Sequence, residues 1–324
     1  MKINYKILIA VFTAASVVAC VKAPHGFLSS QIRYRDSPLQ IQQGNVVQTN
    51  AVDNDGSSAP VTYKLLDIRD AVTHKHADSL YAPRARYVYI KQFDPNVDTT
   101  VALLNSTRKI VNTPAFDFNE HTGGFTFYGT TAAAPVGKYE FDISATNENG
   151  TKTFKNIGLI NLYNDPANVA EIDAGGSAWF QDGTTANGDT GNPLVTVQKL
   201  SDKGTLAILK IVDEHGTPFN PKNNEYITRG DRSDFTTFAK FHPVIVSDTS
   251  LTCNFEVIPF PFAPAAQGYT IYYRIPSQFA KYDAGITPTP ARIYSANPRF
   301  TVRVFQEGTY LITVTVPHVT RDPI

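Results

Sequence analysis

From about residue 38 onward the chain is written in short runs whose hydrophobic and polar positions alternate, cut by clusters of Gly, Pro, Asn and Asp. Alternation with a period of two puts successive side chains on opposite faces of a pleated strand, so each run predicts a strand with one face on a core. The clearest run is 137–145. Tyr139, Phe141, Ile143 and Ala145 fall on one face, and Lys138, Glu140, Asp142 and Ser144 fall on the other, which is expected to be wet. Asn149-Gly150 follows, a pair that tolerates the positive φ angles of a type I′ hairpin turn, and 151–162 returns as the partner strand. Runs at 39–49 and 61–68 precede this hairpin. Runs at 194–200, 204–212, 251–260, 269–275, 300–305 and 308–316 form a second β-rich region. No long window carries a helical stripe, and the short helical candidates are 96–105 and 277–282.

The spacing of strands and turns predicts an all-β chain of two consecutive β-sandwich domains. The first spans 38–163 and the second 194–324. Between them 164–193 reads as a linker or long loop, because Pro166, Gly175-Gly176, Gly183, Gly188 and Gly191 interrupt every periodicity. Gly308-Thr309-Tyr310 echoes Gly137-Lys138-Tyr139, so two related sandwiches and a different second topology both stay open.

The first residues follow another pattern. Lys2 and Lys6 precede an apolar run over 7–18, which ends in Val17-Val18-Ala19-Cys20. A dozen or so apolar residues fall short of the roughly 20 that a spanning helix needs. A small residue directly before the cysteine resembles a bacterial lipobox, in which that Cys becomes the lipidated first residue. The resemblance implies a signal peptide over 1–19, a lipid anchor at Cys20 and a tether over 20–37. An ordinary secretory leader is the alternative.

Composition narrows the partners. Loss of 1–19 removes two lysines and no acid, leaving 27 basic against 29 acidic residues. A near-neutral chain lacks the clustered positive charge that nucleic acid requires, so no nucleic-acid partner is expected. With Cys20 lipidated, Cys253 is alone and no intrachain disulfide is expected. On the alternation of 251–257 Cys253 shares a face with Leu251, Phe255 and Val257, which reads as a buried, inert thiol.

Candidate chemistry is sparse. Asp53-Asn54-Asp55-Gly56 lacks the ordered ligands of a calcium loop and reads as a turn. His74-Lys75-His76 puts two imidazoles on one face of an extended segment with no further zinc ligand signalled, so it reads as a solvated polar stretch. Ser106-Thr107-Arg108-Lys109 matches S-x-x-K without the flanking motifs that give that spacing meaning. No metal, cofactor or catalytic residue is expected. A hydrolase with two dispersed carboxylates leaves no local signature and stays open as an alternative.

Aromatic residues are the better lead. Tyr87, Tyr89 and Phe93 share one strand face, and Trp179 sits in a Gly/Asn/Thr-rich stretch. Aromatic strips with polar tips suit stacking against sugar rings, which makes Tyr87, Tyr89 and Trp179 candidate glycan-stacking residues. The competing assignment has the tyrosines lining the sandwich cores and Trp179 plugging the domain interface. Phe116-Asp117-Phe118-Asn119-Glu120-His121-Thr122-Gly123, followed by the Gly137-to-Ala145 strand, resembles the turn and hairpin of cadherin-like and related Ig-like domains. With the lipobox, Val52-to-Ser57 and the strand ending in Thr146-Asn147, the whole arrangement resembles an uncharacterised family of Bacteroidetes outer-membrane lipoproteins associated with Sus-type glycan-uptake loci. That resemblance implies a non-enzymatic accessory lipoprotein at the outer membrane, on the cell-surface or the periplasmic face, both open because Val21-Lys22-Ala23-Pro24-His25 directly after Cys20 carries no acidic residue. Its implied partners are a polysaccharide or oligosaccharide, or an outer-membrane transporter or neighbouring lipoprotein in an assembly role.

Overall fold

The structure, a computed structural model, describes residues 26–323, and the leader and Cys20 lie outside them. The fold is all-β. Its strands gather into two compact units, one made of residues up to 83 with 113–164, the other of 84–112 with 165 onward.

In the first unit Leu39–Gln42, Gly150–Tyr163, Gly137–Asn147 and Thr62–Asp70 form one sheet in that order, parallel at the first pairing and antiparallel at the others. Val47–Gln48, Phe125–Phe127 and Phe116–Phe118 form the second sheet. The core lies between them, with Tyr63, Ile68, Phe141, Ile143 and Ile160 from one side and Phe116, Phe125 and Phe127 from the other. Phe125 packs edge-on to Phe141 at 5.1 Å, joining the two sheets.

Three expectations change in this unit. Residues 26–37 are not a free tether, because Leu28, Ile32 and Tyr34 are buried in the core and Tyr34 meets Phe141 edge-on at 5.0 Å. The hairpin turn sits one residue earlier than read. Asn147 pairs with Gly150, so Glu148 and Asn149 form the loop, and the left-handed backbone falls on Gly150 at φ 120°. The supposedly wet face of 137–145 is covered, with Glu140, Asp142 and Ser144 only 7%, 9% and 9% exposed. Glu140 and Asp142 are covered by Arg69 on the neighbouring strand. It holds Asp142 bidentately at 2.8 and 2.9 Å, Glu140 at 3.2 Å and the Asn156 side-chain oxygen at 2.8 Å. Register shifts on both sides of the central strand, at Leu65/Asp67 and Phe141/Ile143, give the local twist that lets these groups converge.

In the second unit one sheet runs Asn187–Gly191, Ala170–Gln181, Arg299–Val304, Thr270–Arg274 and Ile227–Thr228, with Tyr294–Ala296 also pairing Ala170–Gln181. The facing sheet runs Leu194–Ser201, Gly308–Thr315, Thr205–Val212, Leu251–Asn254 and Ile245–Val246. Ile271, Tyr273, Phe300 and Val302 from the first sheet meet Leu209, Cys253, Tyr310 and Ile312 from the second. Cys253 is fully buried in one core cluster with Leu251 and Phe255, and burial pushes its thiol up to about 12. The stretch 164–193 is therefore not a linker. It holds a twelve-residue strand, Ala170–Gln181, whose Gly175-Gly176 pair is a bulge rather than a break.

The glycine–tyrosine echo marks the same local device in both units. Gly137 and Gly308 have φ of 155° and 156°, a conformation open to glycine. Two residues on, Tyr139 donates its hydroxyl to the Pro135 carbonyl at 2.6 Å, and Tyr310 donates to the Gln306 carbonyl at 3.2 Å. Each is a tyrosine corner, a Tyr hydroxyl tied back to the backbone just upstream, as Ig-like sandwiches use.

Of the helical candidates, the first gives Val101–Thr107, where Thr100 caps the helix by accepting from the Leu103 N–H at 3.2 Å. The second is a turn leading into the strand Ala280–Tyr282.

Candidate functional site

Residues 84–112 leave the sequence of the first unit and pack with the second. They form a ribbon of Arg84–Tyr89 against Arg108–Thr113, joined through the helix Val101–Thr107. Tyr87 and Tyr89 are two residues apart on one face, so their rings are set about 7 Å apart along the strand. Both are half exposed, at 47% and 41%.

The rings are held from beneath. The Arg108 guanidinium lies over one face of Tyr87 at 3.8 Å from the ring centre. That Arg108 side chain is 3% exposed and fixed on three sides. It donates to the Glu256 carbonyl at 3.0 Å, approaches the Glu256 carboxylate at 3.4 Å and reaches the Asn105 side-chain oxygen at 2.9 Å. A buried guanidinium with a carboxylate and two carbonyls is well satisfied, so it acts as a rigid shelf for the ring. Glu256 is steadied in turn by His242 at 2.6 Å. Tyr89 leans on Phe93 and Phe262, with ring centres 6.2 and 6.5 Å away, and Phe262 meets Phe93 edge-on at 4.9 Å. The groove beside these rings has room for about 30 Å³, close to one water molecule, so contact with a larger ligand falls to the outward surfaces of Tyr87 and Tyr89. Exposed Gln92, Asn105 and Asn112 supply neutral hydrogen-bonding groups on the same ribbon.

Trp179 does not join them. It is 9% exposed, its ring meets Tyr294 edge-on at 5.2 Å, and its indole covers Gly188, where an added Cβ would come within 2.6 Å. It is a core residue of the second unit, so its expected stacking role is withdrawn. Neighbouring Gly, Asn and Thr looked like an exposed loop, but Gly188 is the space the indole needs.

The remaining motifs resolve into structural roles. Asp53 is paired with Arg33 at 2.8 Å and Arg35 at 2.9 Å, while Asp55 takes the Ser29 hydroxyl, so the Asp53-to-Gly56 acids brace a turn. Arg35 and Asp53 line a cleft of about 430 Å³ with Tyr34, Asp36 and Asn50, and there Arg35 is paired with Asp53 while Asp36 accepts from the Asn50 amide at 2.6 Å. His74 and His76 join the Arg69 network through Glu140 at 3.0 Å and Asp67 at 2.6 Å. The Ser106 hydroxyl donates to the Leu103 carbonyl at 2.7 Å. Glu214, Asp283 and His318 bring donor atoms within 4.8 Å of one another, the last two on exposed residues, one ligand short of a closed tetrahedral site.

Sequence reasoning found the two tyrosines from their period-two spacing and missed Arg108 and Phe262. Arg108 was read only as part of a chance S-x-x-K match. Phe262 lies in Phe260-Pro261-Phe262-Ala263-Pro264, a stretch whose alternate aromatics were a usable signal.

No family model and no curated protein matches the chain. Among solved structures it is similar to a SusE-like, surface-located polysaccharide-binding protein from the heparin utilisation locus of Bacteroides thetaiotaomicron. The TM-score is 0.25 and the identity 10%, over 89% of this chain and 54% of that one. The chain thus spans about half the length of that protein. At this level of likeness the function has to come from the side chains themselves.

Proposed function

We propose that this chain is a non-enzymatic accessory lipoprotein, anchored at the outer membrane through Cys20, that binds glycan on the Tyr87–Tyr89 ledge. The observation that carries this is a pair of half-exposed tyrosines on one strand face, one clamped from below by the buried Arg108. Holding a ring rigid before the ligand arrives removes the ordering cost that a mobile side chain would add to binding. Phenolic hydroxyls at the ring tips and neutral amides around them suit a partner that presents hydroxyl groups.

Affinity electrophoresis across a panel of neutral polysaccharides tests the reading. Retention by at least one gel is expected, weakened about 3- to 10-fold for each of Tyr87→Ala and Tyr89→Ala. No retention on any gel would remove the glycan reading. A second reading, an assembly subunit docking on a transporter or lipoprotein, is favoured by the apolar side chains around the ledge. Ile90, Val97, Leu103 and Ile110 are 59%, 63%, 43% and 62% exposed. Co-purification of a stoichiometric complex after mild detergent extraction, abolished by Ile110→Asp, would favour it over the first.

A further inference from the structure

The outer face of the first sheet in the second unit carries a group of arginines that the ledge does not use. Along Thr270–Arg274 the side chains of Ile271 and Tyr273 are buried, so Tyr272 and Arg274 face outward. Arg299 stands directly opposite Tyr272 in the antiparallel register and shares that face. From the turn after Ile227–Thr228, Arg229 lies over the Phe180 ring at 4.5 Å and Arg232 over the Tyr272 ring at 5.7 Å. The Arg232 N–H bonds the Arg229 carbonyl at 3.0 Å, which keeps these two side chains on one turn.

Few acids answer them. Asp182 holds Arg274 at 2.7 Å, and Asp231 approaches Arg232 at 3.8 Å. Arg299 donates to the Gly175 carbonyl at 2.7 Å, and Arg229 has no carboxylate partner among the described residues. Burial and the neighbouring guanidinia, Arg232 foremost, hold Arg229 below the usual arginine range. Arg299 is placed by the glycine bulge. A Cβ on Gly175 would come within 2.7 Å of the Arg299 carbonyl oxygen, and one on Gly176 within 3.4 Å of its guanidinium. Bulges re-aim side chains in this way at functional surfaces.

We propose that this face binds an anionic polysaccharide, with Arg229, Arg232 and Arg299 taking its sulfate or carboxylate groups and Tyr272 and Phe180 flanking its sugar rings. Guanidinium forks match both anions bidentately, and crowded like charges are relieved when an anion enters. Rings interleaved with the arginines favour a sugar chain over a bare anion or a phospholipid surface. The proposal rests on the glycan-binding reading but uses a different surface and names the ligand class.

Titration of the full mature chain with dextran sulfate and with dextran, two forms of one backbone, tests it. Dextran sulfate is expected to bind more tightly than dextran, to weaken as salt rises, and to lose about 10- to 100-fold on Arg229→Ala/Arg299→Ala. Tyr87→Ala is expected to leave that sulfate preference intact. The double variant is expected to melt no more than a few degrees below the parent, which separates lost binding from lost folding. Equal affinity for dextran sulfate in parent and double variant would overturn the proposal. So would tighter, Arg229-dependent binding of phosphatidylglycerol vesicles or a thymidine oligonucleotide. Binding of neutral glycans with no sulfate preference would remove this inference and leave the ledge standing, whereas failure of every polysaccharide would remove both.

Discussion

Arg69 in the first unit and Arg229 in the second are both partly buried arginines on sheet surfaces, yet their surroundings are opposite. Arg69 is ringed by Asp142, Glu140, Asp67 and Asn156, and the bidentate pair with Asp142 closes at 2.8 and 2.9 Å. Arg229 is ringed by Phe180, Tyr272 and three more arginines. A guanidinium whose acceptors come from its own chain is part of the fold. One that is desolvated among like charges gives the fold little, and its natural acceptors lie outside the chain.

The largest way to test this contrast is to remove Arg69. Arg69→Ala takes the guanidinium from two nearly buried carboxylates, leaving Glu140 with His74 and Asp142 with the Asn156 N–H, so urea unfolding is expected to show a loss of about 3 kcal/mol. Acid sharpens the same point. The hydrogen bond from His74, then Arg69, holds Glu140 below the usual carboxylate range, and Arg69 does so for Asp142. A carboxyl lowered by folding contributes stability above its unfolded pKa and loses it as pH falls through the folded value. The gap between the parent and Arg69→Ala is therefore expected to be widest near neutrality and to narrow from about pH 4 downward, read from unfolding midpoints. A gap independent of pH would contradict the assigned network.

Smaller effects calibrate the units against each other. Tyr139→Phe and Tyr310→Phe each remove one corner hydrogen bond and are expected to cost about 1 kcal/mol in chemical unfolding. A much larger cost at one corner would show that the two devices are not equivalent. Smallest of all, Arg229→Ala is expected to change stability by no more than about 0.5 kcal/mol, in either direction. A loss matching that of Arg69→Ala would erase the distinction between committed and spare arginines.

Much of the architecture was legible because inward positions in this chain are sharply apolar. The strands Gly137–Asn147, Arg299–Val304 and Gly308–Thr315 follow from alternation alone, and so does the burial of Cys253. The failures share one cause, contacts between residues far apart in sequence. Leu28, Ile32 and Tyr34 lie among polar neighbours and read as tether, yet they join a core many of whose members come much later in the chain, with Tyr34 against Phe125 and Phe141. Gly175-Gly176 read as a break because nothing local shows that Arg299 will lie against it. Trp179 stayed open between stacking and burial because the glycine that accommodates it and the tyrosine that flanks it come later in the chain. Of the ledge, the two tyrosines were visible and the clamp was not. The arginine face was invisible, since its members come from three separate stretches and only the sheet register aligns them.

Hydrogen–deuterium exchange of the full mature chain, with and without saturating dextran sulfate, puts the contrast to its most direct trial. The turn at 229–232 is expected to exchange more slowly in the presence of the polyanion, while 66–76 around Arg69 stays unchanged. Slowed exchange around Arg69 with none at 229–232 would contradict the account, and so would a complex that slows neither.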